Sequence, residues 1–156
     1  MKKKAVIGIG NPLRQDDGIG IILIHKLLKD KHKFPPNIDF IDGGTGGMNL
    51  IHTISKYNLI IFIDAVNFNG PNGESRLFEF KEINNKKVSV SNSTHSDNIL
   101  KVIELSIKLF NKPKKFLFFG IKPFKTNFGN NLSKELYEKV DAIYENLIKE
   151  LIEVLQ

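Results

Sequence analysis

Residues 59–65 read Leu-Ile-Ile-Phe-Ile-Asp-Ala, five large apolar side chains in a row closed by an aspartate. A strand with one wet face alternates apolar and polar residues. A strand apolar on both faces belongs in the middle of a sheet covered by helices on each side, as central parallel strands are. Lys4 to Gly10 (KAVIGIG) is a short apolar run ending in glycine, which suits a buried strand, and Lys115 to Ile121 (KFLFFGI) reads as a further strand. Such strands alternating with helices give an α/β architecture.

The segments between these runs fill in the rest. Ile21 to Leu28 is apolar almost throughout and leads into a lysine-rich tail stopped by Pro35-Pro36, which predicts a helix packed on the sheet. Ile38 to Ile41 predicts a second strand, closed by Asp42-Gly43-Gly44-Thr45-Gly46-Gly47, and Met48 to Lys56 a short helix. The loop from Asn67 to Ser75 carries Gly70-Pro71 and Asn72-Gly73 turn signals and is too short for a parallel crossover. Arg76 to Phe80 is therefore expected to return antiparallel to the third strand. Asn84 to Ser93 reads as polar and irregular. A helix is expected from about Asp97 to Phe110, with Ser96 as N-cap and Ile99, Ile103, Ile107 and Phe110 on one face. Ser133 is placed to cap the last helix, with Leu132 stapled to Tyr137. Within that helix Leu136, Val140, Ile143, Leu147, Leu151 and Val154 recur at helical spacing. These elements predict one domain over residues 1–156, a three-layer α/β/α sandwich whose five-stranded sheet is mixed through one antiparallel strand.

Composition narrows the chemistry. The chain has 156 residues, enough to bury a core without disulfides or a structural metal. It contains no cysteine, which excludes thiolate catalysis and leaves only oxygen and imidazole ligands for any metal. The net charge of +6 comes from lysines spread along the whole sequence. They lack the aromatic interleaving of a single-strand binder, so nucleic acid is not expected as a partner. The Met1-Lys2-Lys3-Lys4 start is not followed by a signal-like apolar segment, and no apolar run approaches bilayer length. A cytoplasmic location, without membrane association, is the expectation.

Ligands of open α/β sheets gather beyond the carboxyl ends of the parallel strands. Asp16-Asp17 lies in the loop leaving the first strand, Asp64 at the end of the third, and His95 just before a helix. Each has an ordinary reading. Asp16 or Asp17 could cap a helix, but two adjacent aspartates exceed what a cap requires. Asp64 could bond to a loop backbone, yet a carboxylate ending so apolar a strand is desolvated unless something pairs with it. His95 could be a surface histidine. His25, His32 and His52 are expected to be structural or surface residues. Two carboxylates and an imidazole together suit nickel, zinc or iron, and three protein ligands leave positions open for chemistry. No G-x-S-x-G nucleophile elbow occurs. Metal-assisted hydrolysis is the reading that uses all three residues. A competing reading takes Gly8-Ile9-Gly10-Asn11-Pro12-Leu13 as a nucleotide loop, although Leu13 replaces the third glycine and Asp16 and Asp17 would repel a pyrophosphate.

Gly8-Ile-Gly-Asn-Pro-Leu-Arg-Gln-Asp-Asp-Gly-Ile-Gly20 resembles the N-terminal signature of the [NiFe] hydrogenase maturation endopeptidases. Asp42-Gly-Gly-Thr45, Ile63-Asp64-Ala65, Ser93-Thr-His95 and Gly120-Ile-Lys-Pro123 with Leu132-Ser133 resemble the family's later motifs, in the same order and spacing. The resemblance implies a twisted five-stranded sheet in a phosphorylase/hydrolase-like sandwich. It implies a metal site of Asp17, Asp64 and His95, which are also the residues it makes catalytic. Some members carry glutamate at the first position; aspartate there resembles the members serving the formate-hydrogenlyase type of hydrogenase. Asp16 is assigned to turn and supporting contacts. Asn11, Gly43, Gly44 and Thr45 are assigned to support or substrate contact; Gly43, Gly44 and Gly46 serve either close substrate approach or a plain left-handed turn.

The implied reaction is one hydrolytic cut beyond the last metal-binding cysteine motif of a hydrogenase large-subunit precursor that already holds nickel. The three side chains would complete the coordination of that nickel, which the precursor supplies, with zinc or another divalent ion an alternative in the free protein. The chain is expected to act as a monomer. A non-catalytic nickel-sensing checkpoint would use the same ligands and stays open as an alternative.

Overall fold

The computed structural model describes residues 3–79, 82, 89–90 and 96–156. Strands β1 (Lys4–Gly8), β2 (Ile38–Asp42), β3 (Leu59–Asn67), β4 (Ser75–Glu79), β5 (Ser89–Val90) and β6 (Lys115–Ile121) are joined by helices α1 (Ile19–Lys29), α2 (Ile51–Ile54), α3 (Ser96–Phe110), α4 (Lys134–Tyr137) and α5 (Val140–Leu155). The sheet order is β2-β1-β3-β6-β4, and the short β5 pairs with the end of β3 off this path. β1, β2, β3 and β6 are mutually parallel, whereas β4 runs antiparallel to β6. This is the mixed α/β sheet expected from the sequence.

The apolar runs occupy the centre of the sheet because both of their faces are covered. In β3, Ile60 and Phe62 face a core completed by Leu50, Ile54, Ile99, Val102 and Ile103 of the α2–α3 layer. Ile61 and Ile63 face the opposite core, built with Leu23, Ile24 and Leu27 of α1 and Val140, Ile143, Leu147 and Leu151 of α5. Successive strand residues thus feed two different layers. By the same alternation Asp64 follows Ile60 and Phe62 onto the α2–α3 side.

Several details differ from the sequence reading: Ser89–Val90, inside the segment expected to be irregular, pairs with β3 as β5, and Ile107 and Phe110 of the expected apolar face of α3 are exposed while Val102 is buried. β4 has the expected direction, but β6 lies between it and β3. The cause is burial: β6 is buried at six of its seven positions, while β4 is buried only at Phe78 and so suits an edge. The helix expected at Met48 to Lys56 is a 3-10 turn, Met48–Leu50, followed by one α turn, Ile51–Ile54. Ser133 caps α4 by accepting the Leu136 N–H at 3.2 Å, but the last helix is divided at residues 138–139, and Tyr137 is 73% exposed rather than stapled inward. The helix expected from Asp97 with Ser96 as cap already includes Ser96. Phe80 and most of the 84–93 segment lie outside the described residues.

Candidate metal and catalytic site

The site forms where α1 starts against the sheet, and glycines set how closely it starts. A Cβ on Gly20 would lie 2.3 Å from the carbonyl oxygens of both Ile63 and Ile9. One on Gly8 would lie 2.4 Å from the Gly20 oxygen. Only glycine lets the first turn of α1 rest directly on the ends of β1 and β3. The preceding 3-10 turn, Gln15–Gly18, is thereby brought to the end of β3, where Asp64 stands.

Asp16, Asp17 and Asp64 are 0%, 2% and 3% exposed, and they are the only acidic side chains buried among the described residues. Each has a distinct set of partners. Asp16 Oδ2 accepts the Phe124 and Lys125 N–H groups at 2.9 Å each and the Ser133 hydroxyl at 2.8 Å, while Oδ1 accepts the Ser133 N–H at 2.7 Å. Asp17 Oδ2 accepts the Asn11 N–H at 3.0 Å. Asp64 Oδ1 accepts the Ala65 N–H at 2.8 Å. Neither Asp16 nor Asp17 caps α1: Gly18 is the N-cap residue, with no side-chain cap bond.

Asp64 is raised well above the ordinary carboxylate value, first by loss of solvent and then by the negative charge of Asp17, with the Ala65 N–H acting weakly in the other direction. Two carboxylates that are both dehydrated and mutually repulsive make a site where a cation would be strongly favoured. Their hard oxygen donors fit a divalent ion, and an imidazole would bring the set into the range of nickel or zinc. The third expected ligand, His95, lies outside the described residues; α3, which begins at Ser96, packs on the face toward which Asp64 points. No group of three His, Cys, Asp or Glu that could hold a metal occurs among the described residues alone.

The remaining expected residues lie in the first loop and in the turn after β2, which the Gly10 N–H joins to the Gly44 carbonyl. Asn11 lies beside Asp17 through the bond above, and its Oδ1 accepts the Leu13 N–H at 3.0 Å. Gly10 adopts φ +153°, and a Cβ there would meet the Asp17 carbonyl oxygen at 2.1 Å, so the loop folds tightly back on itself. Gly44 and Gly46 take the left-handed conformation, at φ +59° and +76°. The Gly44 carbonyl receives the Gly10 N–H at 2.9 Å, and its Cα faces open space. Thr45 lies between the two left-handed glycines in this turn. The sequence did not reveal that His25 meets Asp42, with Nε2 and Oδ2 2.8 Å apart, or that Asp42 Oδ1 accepts the Gly44 N–H. Only the fold brings those residues of α1 and β2 together.

The loop does not suit a nucleotide phosphate. The N–H groups of Gly10, Asn11 and Leu13, which such a loop would point at a pyrophosphate, are already given to Gly44, Asp17 and Asn11. Two buried carboxylates occupy the helix start where an anion would sit. A groove of about 580 Å³ runs along the outer side of the loop past Pro12, Gln15, Ile22, Leu132 and Tyr137, but neither Asp17 nor Asp64 lines it.

Comparison with known proteins identifies this architecture. The family model of the hydrogenase maturation proteases matches residues 22–150, and the chain belongs to that family. The match takes in Asp64 and His95 and begins beyond Asp17. The chain is similar to the hydrogenase expression/formation protein HupD of Thiocapsa roseopersicina, 28% identical over 94% of this chain and 66% of the relative. It is 26% identical to the hydrogenase expression/formation protein HoxM of Cupriavidus necator, over 89% of this chain and 69% of the relative. The chain thus spans about two thirds of the length of these curated relatives. Its fold is similar to that of the hydrogenase maturating endopeptidase HybD from E. coli, with a TM-score of 0.79, 22% identity, and coverage of 97% of this chain and 93% of the other. The [NiFe] hydrogenase maturation protease HybD from Thermococcus kodakarensis matches with a TM-score of 0.74, 23% identity, and coverage of 94% and 97%. No helix among the described residues is long and apolar enough to cross a membrane.

Proposed function

We propose that this chain is an endopeptidase that removes the C-terminal extension of a nickel-loaded [NiFe] hydrogenase large-subunit precursor. Asp17, Asp64 and His95 recognise the nickel that the precursor carries. Family membership supports the protease activity and the class of substrate. The observation that carries the site is the buried, mutually repelling Asp17 and Asp64 pair at the carboxyl end of a central parallel strand.

The chain's own residues hold and orient the substrate. Asp17 and Asp64 offer oxygen ligands from two different elements, a turn and a strand end, and His95 adds the imidazole. The dry surroundings of the two carboxylates strengthen their attraction for a cation. The left-handed turn at Gly44 leaves room for a substrate backbone beside the loop. When bound, a divalent ion supplies polarisation of a carbonyl or a more acidic water.

The test is release of a C-terminal peptide from such a precursor by the wild-type chain but not by Asp64→Asn. Binding of the precursor without any peptide release, by a chain that is folded, would replace the protease reading with that of a checkpoint.

A further inference from the structure

Asp16 sits next to a proposed nickel ligand, yet all of its side-chain hydrogen bonds go elsewhere. Its four bonds reach Phe124, Lys125 and Ser133, 108, 109 and 117 positions away in sequence. Its own N–H donates to the Lys125 carbonyl at 3.0 Å. A carboxylate that only started a helix would bond within the first turn. This one instead fastens the turn Gln15–Gly18 to the segment after β6, and it does so from a fully buried position. Ser133 extends the tie, because its hydroxyl oxygen accepts the Leu136 N–H and caps α4.

The next residue inherits that placement. The Asp17 backbone is gripped on the Asp16 side by the bonds to the 124–133 segment. On the other side it is packed against Gly10, and its N–H donates to the Arg14 carbonyl at 3.1 Å. We infer that Asp16 is a positioning residue that fixes the direction in which Asp17 presents its carboxylate, by anchoring the turn to Phe124, Lys125 and Ser133. This inference rests on the proposed protease reading.

Asparagine at position 16 has nearly the shape of aspartate but only one acceptor oxygen. With that oxygen turned to the three donors at Oδ2, its amide group would face the Ser133 N–H, donor against donor. The residue then tilts, and Asp17 with it. Asp16→Asn is expected to lower kcat/KM for peptide release from a nickel-loaded precursor by about 10- to 100-fold, with kcat reduced and KM raised. Binding of Ni²⁺ or Zn²⁺ alone to the free protein, measured by titration calorimetry, should weaken by a similar factor, with far-UV circular dichroism unchanged. A folded Asp16→Asn with wild-type kcat and wild-type metal affinity overturns the inference.

If Asp16→Asn does not fold, Ser133→Ala removes one donor to Asp16, together with the α4 cap, and leaves every backbone donor in place. It should lower kcat in the same direction, and Ser133→Thr, which keeps the hydroxyl, should restore it. A folded Ser133→Ala with unchanged kcat equally overturns the inference. The wild type separates the two levels. A wild-type chain that neither cuts nor binds metal defeats the functional reading and the inference with it. A wild-type chain that cuts while the folded variants match it defeats the inference alone.

Discussion

Asp64 is pushed well above the ordinary carboxylate range by its burial and, after that, by the negative charge of Asp17. An ionised Asp64 is therefore unfavourable for the free fold at neutral pH. Such conflict between stability and placement is expected where a site is built to receive a cation.

The sign of the pH dependence follows. In the metal-free protein, folded Asp64 holds its proton more tightly than the unfolded chain, whose carboxyl titrates near 3.8. Its contribution to stability is fully present below that unfolded value and is lost as pH rises through the higher folded value. Asp64→Asn retains an oxygen for the Ala65 N–H and cannot ionise. Its thermal midpoint should exceed that of the wild type at neutral pH, by about 2–4 °C for each kcal/mol recovered in a chain of this size. The two should converge below about pH 4. A lower midpoint for Asp64→Asn at neutral pH would contradict the assignment of Asp64 as a repelled, buried acid.

Activity should move the opposite way. Asp17→Asn, Asp64→Asn and His95→Ala are each expected to reduce peptide release at least about 100-fold while circular dichroism shows an intact fold. Wild-type rates from all three would show that the site lies elsewhere.

The glycines offer a separate check on how the site is assembled. Gly20→Ala places a Cβ against two backbone oxygens at 2.3 Å, which neither neighbour can yield. It should cost about 3 kcal/mol or more in denaturant unfolding, the upper range for overpacking a core. Gly44→Ala meets nothing within 4 Å and only suffers its left-handed φ of +59°. Its cost should be about 1 kcal/mol. Equal costs would mean that close approach of α1 to the sheet does not govern stability.

The sequence contains no cysteine and no G-x-S-x-G elbow. Thiol- and serine-directed reagents should leave the rate of peptide release unchanged within about two-fold. Strong inhibition by a serine reagent would point to covalent catalysis.

Local patterns made much of this legible beforehand. The unbroken apolar run of β3 placed it centrally and made Asp64 conspicuous, because burial follows from neighbours in sequence. The short 67–75 loop gave the direction of β4, but not its neighbour. Pairing depends on which strand more needs covering on both faces, and β6 needs it more. The four bonds of Asp16 were invisible, since their partners lie more than a hundred positions away and are mostly backbone N–H groups, which every residue but proline possesses. The pairing of His25 with Asp42 escaped for the same reason: α1 and β2 become neighbours only through β1.

This chain is predicted to cut a hydrogenase precursor in response to the nickel that the precursor holds. Intact-mass spectrometry tests it directly, with the chain mixed in parallel with nickel-loaded and nickel-free large-subunit precursors. Loss of a C-terminal peptide from the loaded precursor alone is the predicted result. Equal cleavage of both forms, or of neither, would contradict it.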